Sequence, residues 1–368
     1  MFAPTFSQDD EKLQYNITEI GRLRFRIERI LIMPKHEQWL RQEAFIRTAY
    51  SSTMVENSTI TEEEMENAVK QIPPTNIPKD RPDVANYATA LEFVDFLSDD
   101  EVTPPEMAIQ EATIRQIHWH LMKGIHDTRL RPGQYRTEPN WIEVQGIKVY
   151  ESPFHVDVPI LMREFSVWLR DNQSINPILK AGIAHAHLIA IHPFVDGNGR
   201  TARLLATLLL QRHGYGFRRL LSLDAYYQRN RDQYMQALSK SLGHEFTNDY
   251  DLTPWLDFFT TSIILQAMTL ESRLTDWRMM VDRMHMSLAN LGLSERQIDG
   301  LLYAMRTGYI TRKDYAEITN VSLLTATRDL TAMVQKRFLL PEGAGRNRRY
   351  NFLPPGQDKP EKEQRKLL

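Results

Sequence analysis

The residues best able to do chemistry together lie in one short stretch, His192-Pro193-Phe194-Val195-Asp196-Gly197-Asn198-Gly199-Arg200-Thr201-Ala202-Arg203. Two glycines flanking an asparagine let the backbone turn with its N–H groups inward, and a helix starting there adds unpaired amides and its positive dipole end. Gly197, Asn198 and Gly199 thus read as an anion cradle. Arg200 and Arg203 supply guanidinium groups for phosphate oxygens, and Asp196 offers a hard carboxylate suited to Mg2+ on a polyphosphate. His192, just before the cradle, is placed to take a proton from an attacking hydroxyl. Each of these features alone is more often structural; the combination carries the reading.

Helical spacing dominates the elements that must position this stretch. Ile17, Ile20, Leu23, Ile27, Ile30 and Leu31 recur at three- and four-residue steps, as do Leu40, Ala44, Phe45 and Ala49 after a break at Pro34. Thr61 and Glu64 form a capping-box start, and that helix is expected to end before Pro73, Pro74 and Pro78. Further amphipathic stretches cover roughly 83–97, 105–122, 158–172 and 176–191, and Leu204, Leu205, Leu208 and Leu209 mark a helix beginning around 198–200. One β signal interrupts them: Ile142, Val144, Ile147 and Val149 alternate with polar residues around a Gln145-Gly146 turn. A lone hairpin must lean on the helices or bind something extended. The fold class expected is mainly α with this small hairpin.

Residues 251–291 read as long helices linking two units. From Ser294 the pattern is a helix, a short helix Arg312 to Thr319, a turn at Asn320, a helix Ser322 to Arg337, and a glycine-containing hairpin from Leu339 to Phe352. That order is the layout of a winged helix-turn-helix, with Arg328, Lys336, Arg337, Arg346, Arg348 and Arg349 as its basic residues.

The whole chain sets the outer bounds. Its 368 residues exceed what one core usually serves, and 42% hydrophobic with 25% charged residues is ordinary folded composition. A net charge of -2 gives no global attraction to nucleic acid or anionic membrane, so any basic surface is local. With no cysteine there is no disulfide, thiolate metal site or thiol nucleophile. The start of the chain does not read as a secretory signal and no run is long and apolar enough to span a membrane, so no membrane partner and a cytoplasmic location are expected.

The segment 192–203 matches, at every defining position, the His-x-Phe-x-Asp/Glu-Gly-Asn-Gly-Arg-x-x-Arg signature of the Fic (filamentation induced by cAMP) family, and the likeness extends from about Thr48 to Phe259. Ser52-Thr53-Met54-Val55-Glu56-Asn57 resembles the family's Ser/Thr-x-x-x-Glu-Gly/Asn inhibitory motif, in the class that carries it on an N-terminal helix. Gly133-Gln134-Tyr135-Arg136 and the hairpin resemble the flap that holds an extended target segment. Arg231-Asp232-Gln233-Tyr234 resembles the domain's tail, with Met235 where many relatives carry a second tyrosine. The resemblance implies a protein adenylyltransferase using ATP and Mg2+. His192 would deprotonate a serine, threonine or tyrosine hydroxyl of a target protein, and Asp196 would hold Mg2+. Gly197, Asn198, Gly199, Arg200, Arg203 and Tyr234 would bind ATP, and Ser52 and Glu56 would inhibit by engaging Arg203. The implied division is an N-terminal helical region with the inhibitory helix at 1–100, a catalytic domain at 101–275, a linker helix and winged helix-turn-helix at 276–353, and a disordered tail at 354–368.

Two functional rivals use the same residues. One is removal of AMP, with Glu56 orienting a water; the other is a nucleotide-sensing transcriptional regulator that binds DNA through the C-terminal unit. A homodimer is a further association to consider. A metal-hydrolase site of His185, His187, His192 and Asp196 is set aside, because histidines two apart on a helix do not share a face.

Overall fold

The computed structural model describes all residues except 1–3, 8–9, 57–58, 71–80, 100, 102, 104–108, 126–128, 145, 346–347 and 354–368. It divides into two compact units, Met1–Leu274 and Thr275–Leu368.

The first unit is built around a helix that is buried on every side. α7 (Pro177–Ile191) is capped by the Asn176 side chain, begins with proline at its first turn, and has every residue from Ile178 to Ile191 buried. Its run of Ile, Leu, Ala and Gly suits such a position, since an all-round apolar helix has no face to give to solvent. α8 (Asn198–Arg212) packs against it, and α11 (Thr253–Asn290) brings Trp255 and Phe259 onto Gly182. α1 (Glu11–Arg29) seals another side through Leu13, Ile20, Leu23 and Ile27. A second apolar cluster joins α2 (Pro34–Val55), α3 (Glu62–Lys70), α4 (Pro82–Leu97) and α5 (Glu111–Met122) to Leu204 and Leu208 of α8. α6 (Val158–Asp171), α9 (Leu223–Arg229) and α10 (Arg231–Leu242) complete the unit.

The hairpin pairs β1 (Trp141–Val144) with β2 (Ile147–Glu151), with an irregularity between Ile142 and Glu143. It does lean on the helices. The Tyr150 hydroxyl donates to Ala190 O at 3.0 Å and the Glu151 amide to His244 O at 2.8 Å.

The second unit contains α12 (Glu295–Thr307), β3 (Tyr309–Thr311), α13 (Arg312–Thr319), α14 (Leu323–Gln335), β4 (Leu339–Glu342) and β5 (Arg349–Phe352), with strands in the order β3-β5-β4. Asn320 sits in the left-handed region between α13 and α14, where asparagine is tolerated. Its core gathers Ile298, Leu302, Ile310, Tyr315, Leu330 and Met333.

Several expectations need correction. Leu31 falls after the end of α1 and is 73% exposed, because the chain leaves helical geometry at Ile30 to enter Pro34. The stretch read as linking helices is one helix of 38 residues. The helix expected from Pro105 is described only from Glu111, capped by Gln110, and residues 104–108 lie outside the described set. The same holds for Pro73, Pro74, Pro78, Gln145, Asn57, Arg346 and the tail. β3 was not foreseen. Among the described residues no helix is long and apolar enough to cross a membrane.

Gly182 tests the central packing. A Cβ there would lie 2.7 Å from Leu256 Cδ2 and 3.0 Å from Phe259 Cδ1. Gly182→Ala is expected to lose about 1–3 kcal/mol despite alanine's better helix propensity, seen as a lower melting temperature. An unchanged or raised melting temperature would contradict this packing.

Candidate active site

The loop between α7 and α8 is fixed from several directions. His192 ends α7 in the left-handed conformation at φ 49, its amide donating to Leu188 O at 3.0 Å. Phe194 is fully buried, and its backbone is clamped by Asn198: Oδ1 accepts from Phe194 N and Nδ2 donates to Phe194 O, both at 2.9 Å. The Asn198 side chain thus braces the loop. Gly197 turns the chain at φ 77, and the first intrahelical amide is Thr201 N, bonded to Gly197 O at 2.9 Å. The amides of Asn198, Gly199 and Arg200 therefore open the helix as its unpaired donors.

His118 on α5 locks this turn. Its Nδ1 accepts from Gly133 N at 2.9 Å, so Nε2 carries the proton and donates to Asp196 O at 3.0 Å, while the ring stacks on Phe194 at 3.7 Å between centroids. Burial lowers its pKa to about 4, keeping the ring neutral as that pattern requires. Arg136, 3% exposed, spends its guanidinium on backbone carbonyls of His192 (2.9 Å), Glu138 (3.1 Å) and Pro153. Asn140 Nδ2 donates to Phe194 O and Val195 O at 3.1 and 3.2 Å, which ties the start of the hairpin to the loop.

His192 is held in a form fit to accept a proton. Its Nδ1 lies 3.2 Å from Ile189 O, and a carbonyl can only accept, so Nδ1 bears the hydrogen and Nε2 keeps its lone pair. Burial, with Arg136 nearby, brings its pKa down to about 4.

Across the loop, Arg203 is 2% exposed. Its Nη2 donates to Glu56 Oε1 and to Ser52 O, and its Nε to Ser52 Oγ, all at 2.9 Å. Nε also lies 2.9 Å from Asp224 Oδ1. Ser52 lies on α2, and Glu56 caps that helix. A Cβ on Gly199 would sit 2.3 Å from Glu56 Oε1, so the carboxylate rests directly over the loop's helix start and would have to move aside for any larger residue there. Burial works against the Glu56 charge, but Arg203 and Arg200 outweigh it and hold the carboxyl below its usual range.

Asp196 is 55% exposed in its side chain, with Oδ1 accepting from Gly197 N at 2.6 Å and Oδ2 lying 3.2 Å from Arg200 Nη2. Arg200 Nε is buried without a partner. These features fit a polyphosphate with a hard cation. The Glu56 carboxylate already lies against Gly199 while paired with Arg203, and a buried donor on Arg200 is unused. Among the described residues no group of three or more His, Asp or Glu could hold a metal, so Asp196 would share a cation with phosphate oxygens, as Mg2+ sites commonly do. His185 and His187 do not join such a site. His185 stacks on Trp255 at 4.6 Å and His187 meets the edge of Phe165 at 4.9 Å.

A cavity of about 460 Å3 is lined by Val55, Glu56, His192, Gly199 and Arg203 together with Ile142, Val149, Tyr234, Met235 and Leu242. Tyr234 lines it while buried, its hydroxyl 3.1 Å from His185 Nε2.

Comparison with known proteins bears on this geometry. Residues 108–210 match the Fic/DOC family model. The stretch that holds the loop and the helices flanking it thus resembles a Fic domain. Protein adenylyltransferase Fic of Drosophila virilis is 29% identical over 180 residues, 48% of this chain and 34% of that protein. The protein of the same name from Drosophila mojavensis is 44% identical over 92 residues, 24% of this chain and 17% of that one. The matched stretch thus spans about a third or less of these relatives' length. In fold, a Fic family protein from Desulfovibrio desulfuricans G20 has a TM-score of 0.61 at 21% identity, covering 96% of this chain and 99% of that one. A Fic domain containing signaling protein from Bacteroides thetaiotaomicron has a TM-score of 0.58 at 20% identity, covering 71% of this chain and 97% of that one.

Sequence reasoning missed His118 and Asp224, which lie outside the 192–203 stretch and carry no local signal. Arg136 was noted only as part of the flap segment.

The His192 assignment is measurable. In a 15N NMR titration its imidazole should hold the Nδ1–H tautomer and protonate only near pH 4, since burial depresses its pKa and the neutral form persists above it. A midpoint near the ordinary value of about 6.5 would overturn the assignment.

Proposed function

We propose that this chain transfers AMP from ATP to a serine, threonine or tyrosine hydroxyl of a target protein, and that Glu56 restrains the reaction. The observation carrying this reading is the Glu56 carboxylate seated over Gly199 and paired with Arg203 at 2.9 Å, a built anion site filled by the chain's own side chain. The name of the curated relatives, protein adenylyltransferase, supports the same chemistry.

In this mechanism His192 Nε2 takes the proton of the acceptor hydroxyl as its oxygen bonds to the α-phosphorus. The bond from that phosphorus to the α–β bridging oxygen breaks, pyrophosphate leaves, and the proton stays on His192. The amides of residues 198–200 and Arg200 take up charge on the phosphoryl oxygens, while Arg203 addresses the distal phosphates. Mg2+, when bound, would be held by Asp196 and would shield the polyphosphate charge. The cavity wall around Tyr234 and Met235 is assigned to the nucleobase, and β1 to strand addition by the target segment. In the restrained state the Glu56 carboxylate would occupy the place of the γ-phosphate and turn the α-phosphate away from the line of attack.

The test is transfer of label from α-labelled ATP, including self-modification. His192→Ala should abolish transfer and leave ATP binding largely intact. Glu56→Gly should raise it; a charge-assisted pair is worth about 1.5–3 kcal/mol, reduced here because a third of the Glu56 side chain is exposed, so about tenfold is expected. Undiminished transfer by His192→Ala would sink the mechanism, and equal rates for wild type and Glu56→Gly would sink the restraint. Loss of AMP removal in Glu56→Gly would instead assign Glu56 to the hydrolytic direction.

The second unit is read as a winged helix-turn-helix, α13 and α14 joined at Asn320 and followed by the β4–β5 hairpin, with duplex DNA as its partner. Arg328 on α14 and Arg348 and Arg349 at the hairpin are exposed, which supports that reading. Gel-shift affinity should fall steeply with salt, with a log–log slope of about -3 if these three arginines contact phosphates. A salt-insensitive complex, or none, would assign the unit to protein contacts instead.

A further inference from the structure

The pairing of Arg203 with Glu56 is only half of that arginine's surroundings. Asp224, in the first turn of α9 and almost fully buried, lies 2.9 Å from Arg203 Nε, with side-chain exposures of 1% for the arginine and 3% for the aspartate. The aspartate is itself held: the Tyr87 hydroxyl on α4 donates to its Oδ1 at 3.2 Å, and Ser52 also engages its carboxylate. The two carboxylates take different edges of one guanidinium. Asp224 meets Nε on the protein side, and Glu56 meets Nη2 on the cavity side.

We propose that Asp224 is the positioning residue that aims the Nη edge of Arg203 at the distal phosphates of ATP, and that it does so whether or not Glu56 is in place. This rests on the nucleotide reading of the cavity given above. A guanidinium is a planar fork, so fixing Nε fixes the plane and direction of the two terminal nitrogens. Removing Glu56 therefore does not release Arg203 to wander. It empties the cavity-facing edge while the buried edge stays anchored to Asp224 and Ser52. Glu56 then acts by placing negative charge where the γ-phosphate must sit, on an arginine whose other edge Asp224 already holds.

The experiment measures binding of ATP and of AMP by calorimetry in a His192→Ala background, which stops turnover. It compares the otherwise unchanged chain, Glu56→Gly, and Glu56→Gly with Asp224→Asn. Glu56→Gly should tighten ATP binding. Adding Asp224→Asn should weaken ATP by about tenfold and leave AMP, which lacks the phosphates Arg203 addresses, within about twofold, a contrast general loosening of the fold would not produce. Should Asp224→Asn fail to fold, Tyr87→Phe, which removes only the hydroxyl holding the carboxylate, should give the same ATP-selective loss at about threefold. If Glu56→Gly tightens ATP but neither second change weakens it selectively, Asp224 does not position Arg203 and the nucleotide reading stands. If Glu56→Gly itself leaves ATP binding unchanged, the γ-phosphate reading of the Arg203 edge fails, and this proposal with it.

Discussion

A guanidinium buried to 2% exposure is the constraint around which the first unit is arranged. Taking a full charge out of water costs several kcal/mol unless its donors are met by well-placed acceptors. Here the acceptors come from different helices. α2 brings Ser52 Oγ and O, α9 brings Asp224, and Glu56 at the end of α2 completes the set, with Tyr87 of α4 steadying Asp224. Helices that share one buried charge cannot shift past one another without breaking it. The arginine of the loop's own helix thereby becomes the joint between the 192–197 loop and the helix that carries Glu56.

The loop itself follows a different logic, that of neutral groups kept neutral. His118 and His192 both have their pKa lowered to about 4 by burial; His118 uses both ring nitrogens on backbone groups and His192 uses one. Arg136 is the cation of this cluster, and it answers carbonyl oxygens where no carboxylate is at hand. These contacts hold the turn with α8's unpaired amides facing the cavity, so little reorganisation remains when an anion arrives. The fully buried α7 behind the loop gives it a rigid support.

Much of this was legible because it is local. The Thr61–Glu64 box closes with Thr61 N to Glu64 Oε2 at 2.8 Å, a contact within three residues. The alternation around Gly146 gave the hairpin for the same reason, since its partners are adjacent. β3 is the opposite case. Its three residues from Tyr309 to Thr311 become a strand only by pairing with Asn351, Tyr350 and Arg349, some forty residues away, and nothing in so short a run announces that. Leu31 fitted the period of α1 yet stands in solvent, because periodicity cannot tell where Pro34 will pull the chain out of the helix.

What the sequence determined by itself is the mainly helical class, the hairpin, and the grouping of His192, Asp196, the two glycines, Arg200 and Arg203 in one turn, since neighbours in the chain are neighbours in space. Ser52 and Glu56 were marked only through their resemblance to a family motif. Tertiary structure alone decided that Asn198 turns its amide inward to clamp Phe194, that His118 from α5 locks Asp196 O, and that Asp224 shares Arg203 with Glu56. Each of those contacts satisfies a polar group that burial had stripped of water. Which groups would be stripped depends on how the helices pack, and residues such as Glu56 and Arg203, 147 apart in the chain, meet only through that packing.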